Sequence, residues 1–157
     1  MRHFTPLYLL ISCLASLAAD GQTISRPGVD TSLYVILSYN KRIDFAMGLR
    51  LDHPKATSLS PAEVDSMEIL VDSAYRSFNS NNPRSQLMKP LSTYRRHYVA
   101  IINGKGQKEV WVDCFCGSYE GWRQDVEIVD DGGACFFELW INLTEKKIER
   151  LIPGGSA

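Results

Sequence analysis

Three cysteines sit in two short apolar segments, Trp111-Val-Asp-Cys-Phe-Cys116 and Asp130-Asp-Gly-Gly-Ala-Cys-Phe-Phe137. How those segments pair decides what sheet the chain can build. Side chains alternate along a strand. Val110, Val112, Cys114 and Cys116 therefore share one face, and Trp111, Asp113 and Phe115 the other. In the segment 134–143, Cys135, Phe137, Leu139 and Ile141 lie opposite Phe136, Glu138, Trp140 and Asn142. The faces that carry cysteines are the more uniformly apolar, so they are expected to meet the core.

Pairing and oxidation are one question. A disulfide needs Cα atoms roughly 4.4–6.8 Å apart. In a simple meander a third strand, 122–129, lies between 108–116 and 134–143. Cys116 and Cys135 then fall at opposite ends of the sheet and cannot bond. If the two segments are direct antiparallel neighbours, Cys116 faces Cys135, Cys114 faces Phe137, and 117–133 is an excursion over one end. A structural Cys116–Cys135 disulfide, its Cys114–Cys135 variant, and buried free thiols acting as small hydrophobes all remain open. So does a redox or metal site using Cys114, Cys116 and Cys135. Cys-x-Cys plus one cysteine supplies three soft ligands where structural zinc wants four; His97 is the available fourth.

The surest local element is a helix over 60–79. Ser60 is its N-cap, Pro61 its first residue, and Glu63 completes a capping box. Val64, Met67, Val71, Ala74 and Phe78 recur at steps of three and four, with Leu70 and Tyr75 widening the stripe. Asn79-Ser-Asn-Asn-Pro83 ends it. Before it, Leu33–Tyr39 reads as a strand or a short buried helical run, and 40–58 as loop with a turn of helix near Phe45-Ala46-Met47. After it come strands at 94–103, 108–116, 122–129, 134–143 and 147–152. Turns fall at Asn103-Gly-Lys-Gly106 and Asp130-Asp-Gly-Gly133. One helix followed by hairpin-linked strands predicts an α+β domain over 33–157. Its helix packs on an antiparallel sheet of four to five strands, similar to cystatin-like folds as an analogy of fold alone.

Residues 1–21 have the three parts of a signal peptide: basic Arg2 and His3, an apolar run from Leu7 to Leu17, and small residues at 18–21. That run is too short to span a bilayer, which takes about 20 residues. Leu10-Ile-Ser-Cys13 resembles a lipobox, which would anchor the chain through lipid on Cys13. Against it, the apolar run continues past Cys13. Residues 22–32 read as a flexible lead-in. The expectation is an exported protein, periplasmic, envelope-associated or secreted.

A net charge of −1 with one short basic cluster, Arg95-Arg96-His97, excludes the basic footprint of a nucleic-acid binder. No nucleophile elbow is present. Asp130-Asp131 lacks the remaining ligands of a calcium loop. Asn142-Leu-Thr144 matches a glycosylation sequon. A nucleophilic pair of His97 with Cys114 or Cys116 is formally possible, but a packed histidine is the simpler expectation. Trp111 and Trp140 lie opposite the cysteine faces, either as a binding face or packed under a second layer.

Several of these segments carry a resemblance: Tyr94-Arg-Arg-His-Tyr-Val-Ala, the run ending Cys114-Phe-Cys116, Asp130-Asp-Gly-Gly-Ala-Cys-Phe-Phe, Ile141-Asn-Leu-Thr, Gly155-Ser-Ala157 and Leu59-Ser-Pro-Ala-Glu63. Over 33–157 the chain resembles an uncharacterised family of small exported proteins of Bacteroidetes-type bacteria. The resemblance implies bacterial export and a single domain, and it transfers no catalytic residues and no cofactor. The functional expectation is a non-enzymatic binding or structural module of the envelope or extracellular space, with an unknown protein or small ligand as partner. The alternative is a thiol-based redox or metal-binding protein.

Overall fold

The computed structural model describes residues 30–48, 53–129 and 132–154. The expected signal segment with Cys13, residues 22–29 of the lead-in, Asp52, Asp130, Asp131 and 155–157 lie outside the described residues. Strand β1 (Tyr34–Leu37), helix α1 (Lys41–Ala46), strand β2 (Lys55–Ala56) and helix α2 (Pro61–Asn81) come first. Strands β3 (Tyr94–Ile102), β4 (Lys108–Cys116), β5 (Phe136–Asn142) and β6 (Lys147–Pro153) follow. The fold is α+β: one long helix against a sheet of order β1-β3-β4-β5-β6, with β2 paired to β3.

Local chemistry sets α2 as its sequence suggests. The Ser60 side chain accepts from the Glu63 backbone N–H while the Glu63 carboxylate accepts from the Ser60 N–H at 2.8 Å. Those two bonds satisfy donors that a helix start leaves open. Val64, Met67, Val71 and Ala74 are buried, and Leu70, Tyr75 and Phe78 pack beside them. The helix runs to Asn81, just short of Pro83.

Two expectations change. The sheet is mixed, because β1 runs parallel to β3 with Tyr34 against Arg96 and Leu37 against Val99. The intervening α1 and α2 form a crossover long enough to allow this. Second, 122–129 is not a strand. β4 and β5 are direct antiparallel neighbours, with Cys114 opposite Phe137 and Phe115 opposite Phe136. Residues 117–129 between them form a series of turns and irregular backbone lying over the sheet, where their anchors are side chains. Val126 is buried, and the Tyr119 hydroxyl donates to the Asp125 carbonyl at 2.9 Å and accepts from Glu127 N–H at 3.0 Å. Gly133, with φ of 52°, leads into a 3-10 turn before β5 rather than closing a hairpin.

Alternation gives the sheet two different faces. Tyr94, Tyr98, Ala100, Val110, Val112, Cys114, Phe137, Leu139 and Ile141 meet the α2 stripe in the main core. On the other side Val99, Ile101, Trp111 and Trp140 pack with Leu37, Ile43, Met47 and Val126 in a second core. The outer strands are dressed differently. Arg123 donates to the Ser32 carbonyl at 2.8 Å and the Tyr34 carbonyl at 3.3 Å beside β1. Strand β6 carries Lys147, Glu149 and Arg150 and ends at Pro153.

Met67 is fully buried in the main core, so Met67→Ala is expected to lower stability by about 2–5 kcal/mol in urea unfolding. Glu63 also accepts from Lys108 Nζ at 2.6 Å. The Lys108 hydrogen bond first, and the Ser60 N–H after it, hold the Glu63 carboxyl down to about 2 from an ordinary 4.5. A depressed carboxyl stabilises the fold above its ordinary range and loses that contribution as pH falls toward the folded value. Glu63→Gln should therefore be less stable than the wild type at neutral pH, and thermal melts of the two should converge in acid.

Candidate functional site

The second sheet face holds polar groups that its packing does not require. Asp113 and Glu138 each interrupt an apolar row, and the antiparallel register sets them directly opposite one another. Trp111, two residues before Asp113, donates its indole N–H to Glu138 Oε2 at 2.9 Å. Trp140 donates likewise to Glu109 Oε2 at 2.9 Å. Both indoles are buried, at 3% and 8% exposure, so Trp111 and Trp140 form no open binding face. α1 and the 117–129 excursion cover them, a second layer that strand alternation alone could not reveal.

His97 projects onto this same face. Its Nδ1 lies 2.9 Å from Asp113 Oδ2 and its Nε2 lies 2.6 Å from the Trp122 carbonyl oxygen. A carbonyl only accepts, so Nε2 carries a hydrogen. The Nδ1–Oδ2 contact then shares one further proton, and the pair is neutral as a unit whichever atom holds it. Phe115 lies 4.8 Å from the imidazole, centroid to centroid, with Tyr119 and Trp122 around them. Arg95 and Arg123 both approach the Trp122 ring. This cluster fastens the excursion to the sheet. Burial pushes the Asp113 carboxyl up, against the His97 hydrogen bond that lowers it. Burial also raises Glu138, opposed by the Trp111 hydrogen bond and reinforced by the Asp113 charge.

Beside these carboxylates is a cavity of about 200 Å³ between β4, β5 and the excursion. Asp113, Glu127 and Glu138 line it, with Trp111 and Phe136 as its aromatic walls. Ile128 and Val129, 48% and 38% exposed, give it an apolar rim. No Lys, Arg or His among the described residues lines it. The three acids do not converge as metal ligands would: among the described residues no group of three His, Cys, Asp or Glu is placed to share an ion.

The thiols lie elsewhere. Cys114 is buried under α2, and burial raises its pKa far above the ordinary thiol value. One step beyond the Phe115–Phe136 pair, Cys116 and Cys135 meet at the strand ends, half-buried and free. The direct-neighbour condition for a Cys116–Cys135 bond is therefore met, and the two are hydrogen-bonded thiols here. His97 faces away from Cys114 and Cys116, across the thickness of the sheet. It can complete neither a nucleophilic pair nor a metal set with them. Asn142, the sequon residue, is 2% exposed; its amide accepts from Glu145 N–H and donates to Gln107 Oε1, so it is the sealed last residue of β5 that holds the turn after it.

Sequence reasoning found the strand faces and His97 but missed the acidic cavity. The signal was available: Asp113 and Glu138 are the acids that break the rows Trp111–Phe115 and Phe136–Trp140. Lys89, which comes against Cys135, left no such signal.

A carboxyl whose folded pKa is raised favours the folded state below its unfolded value and loses that contribution as pH rises through the folded one. Glu138→Gln mimics the protonated acid and keeps an oxygen for Trp111. Its stability should match the wild type in acid and exceed it progressively toward neutral pH; chemical denaturation across that range reads the difference. Comparison with protein-family models, with curated proteins and with solved structures gave no match in any of the three.

Proposed function

We propose that the chain is an exported, non-enzymatic binding module whose ligand seat is the acid-lined cavity on the second sheet face. The ligand class is a small organic cation with an apolar portion. One observation carries this reading: three carboxylates, Asp113, Glu127 and Glu138, border one cavity with no basic residue among its described lining. The His97–Asp113 unit is neutral, so Glu138 and Glu127 set the charge. An ammonium or guanidinium group meets those carboxylates through charge-assisted hydrogen bonds, while Ile128, Val129 and Phe136 cover its apolar part. A site of this kind, concave and apolar with a few fixed polar groups, is the usual form of a small-ligand pocket. The scattered placement of the acids favours an extended cation over a bare metal ion. Export rests on the reading of residues 1–21 and fits a module that captures amines outside the cytoplasm.

Benzylamine and its uncharged counterpart benzyl alcohol probe the seat by calorimetric titration of the full chain. Benzylamine should bind saturably and the alcohol much more weakly. Glu138→Gln should weaken benzylamine roughly tenfold or more, since a hydrogen bond to a charged group contributes about 1.5–3 kcal/mol. Equal binding of amine and alcohol, or an unchanged affinity in Glu138→Gln, overturns the proposal.

A further inference from the structure

The end of the β4–β5 ladder holds an arrangement that the cavity does not use. Cys116 and Cys135 face each other there as free thiols, both partly open to solvent. Lys89 Nζ lies 2.8 Å from Cys135 Sγ. This contact is built rather than accidental. The Asn79 side chain, near the end of α2, accepts from Met88 N–H at 2.9 Å and donates to the Met88 carbonyl at 3.4 Å. The Tyr94 hydroxyl accepts from Lys89 N–H at 3.0 Å and donates to the Ala134 carbonyl at 2.5 Å. One phenol thus ties the backbone of Lys89 to the residue before Cys135. The Tyr94 ring is itself fixed edge-on against Phe137, at 4.9 Å between centroids.

We infer that Cys135, Cys116 and Lys89 form a thiol–disulfide exchange site, in which Cys135 attacks a small external disulfide and Cys116 resolves the product. The two thiols are not equivalent. The Lys89 ammonium sits closest to the Cys135 sulfur and acts more weakly on Cys116, and Cys116 donates its S–H toward Cys135. These two bonds pull the Cys135 thiol below its ordinary value, the Cys116 bond being the larger cause. Burial, and then the Cys135 bond, push Cys116 up to about 11. The thiolate is the nucleophile in such chemistry, which assigns attack to Cys135. Its sulfur bonds to one sulfur of the external disulfide, and the other leaves as a thiolate that takes up a proton. Cys116 then gives up its proton and bonds to the Cys135 sulfur, expelling the second small thiolate, which is protonated in turn. The sum is two protein thiols oxidised to one disulfide and one external disulfide reduced to two thiols. Cys114, buried on the α2 face, takes no part.

The test is intact-mass analysis of the pre-reduced full chain carrying Cys13→Ser throughout, so that Cys114, Cys116 and Cys135 are its thiols, incubated with oxidised glutathione. This parent chain should lose two hydrogens and carry no lasting adduct. Cys116→Ser should accumulate one glutathione on Cys135, Cys135→Ser should gain none at Cys116 on the same timescale, and Cys114→Ser should behave as the parent chain does. Lys89→Gln should shift the pH at which Cys135 becomes reactive upward and slow adduct formation in the Cys116→Ser background by roughly threefold to tenfold near neutral pH. A merely structural role for Lys89 would leave that pH profile in place. Circular dichroism melts establish that each variant is folded. A folded Cys116→Ser protein that forms no adduct, or a Lys89→Gln profile identical to its parent, overturns the inference.

Discussion

Everything in this structure hangs on the register of β4 against β5. Cys114 opposite Phe137 and Phe115 opposite Phe136 form the pairing that fixes which residues face α2 and which face the second layer. A slip of β5 by one residue against β4, which β3 holds in place, would turn every β5 side chain to the other face, since the side-chain period of a strand is two. It would drive Glu138 into the main core and carry Phe137, Leu139 and Ile141 out of it. The cost of burying an unpaired carboxylate there is severe. Glu138 therefore does more than line a cavity: its intolerance of the α2 face enforces the one register in which the sheet works.

The two layers divide their labour along the same strands. The α2 face is almost wholly apolar and closes around Tyr98, whose hydroxyl reaches Glu68 on the helix, with the Arg96 guanidinium 3.7 Å from that carboxylate. The opposite face mixes Val99, Ile101 and the two buried indoles with His97, Asp113 and Glu138. Its cover is thin, a six-residue helix and an excursion made of turns. A thin cover held by the His97 contact to the Trp122 carbonyl, by Tyr119 and by Arg123 leaves room beside it, and the cavity occupies that room.

Much of this was legible in the sequence. The capping box, the apolar stripe of α2, the limits of β4 and the split of cysteine from tryptophan faces all follow from local rules that need no neighbour. What could not be read was whatever depends on partners distant in the chain. Residues 122–129 alternate well enough to suggest a strand, yet Trp122 and Val126 serve as anchors on a sheet whose neighbouring slot β5 already fills. The parallel placement of β1 depends on a crossover, which a short apolar run does not announce. For the site, alternation put Trp111 and Trp140 on the correct face but said nothing about their cover. Lys89 approaches Cys135 only because Tyr94 and Asn79 hold the chain there.

The outer strands of an open sheet carry backbone groups that invite another strand, and with it aggregation. Arg123 occupies the Ser32 and Tyr34 carbonyls beside β1 with its guanidinium. At the far side, β6 exposes Lys147, Glu149 and Arg150 and ends in a proline that offers no N–H. Both margins are thereby made poor templates for β-addition. A chain that is still folding meets its own copies in a partly folded state, where exposed margins are most dangerous. The same arginine that pins the excursion thus also works against strand addition at β1, so the excursion's packing and the guarding of that margin are tied to one residue.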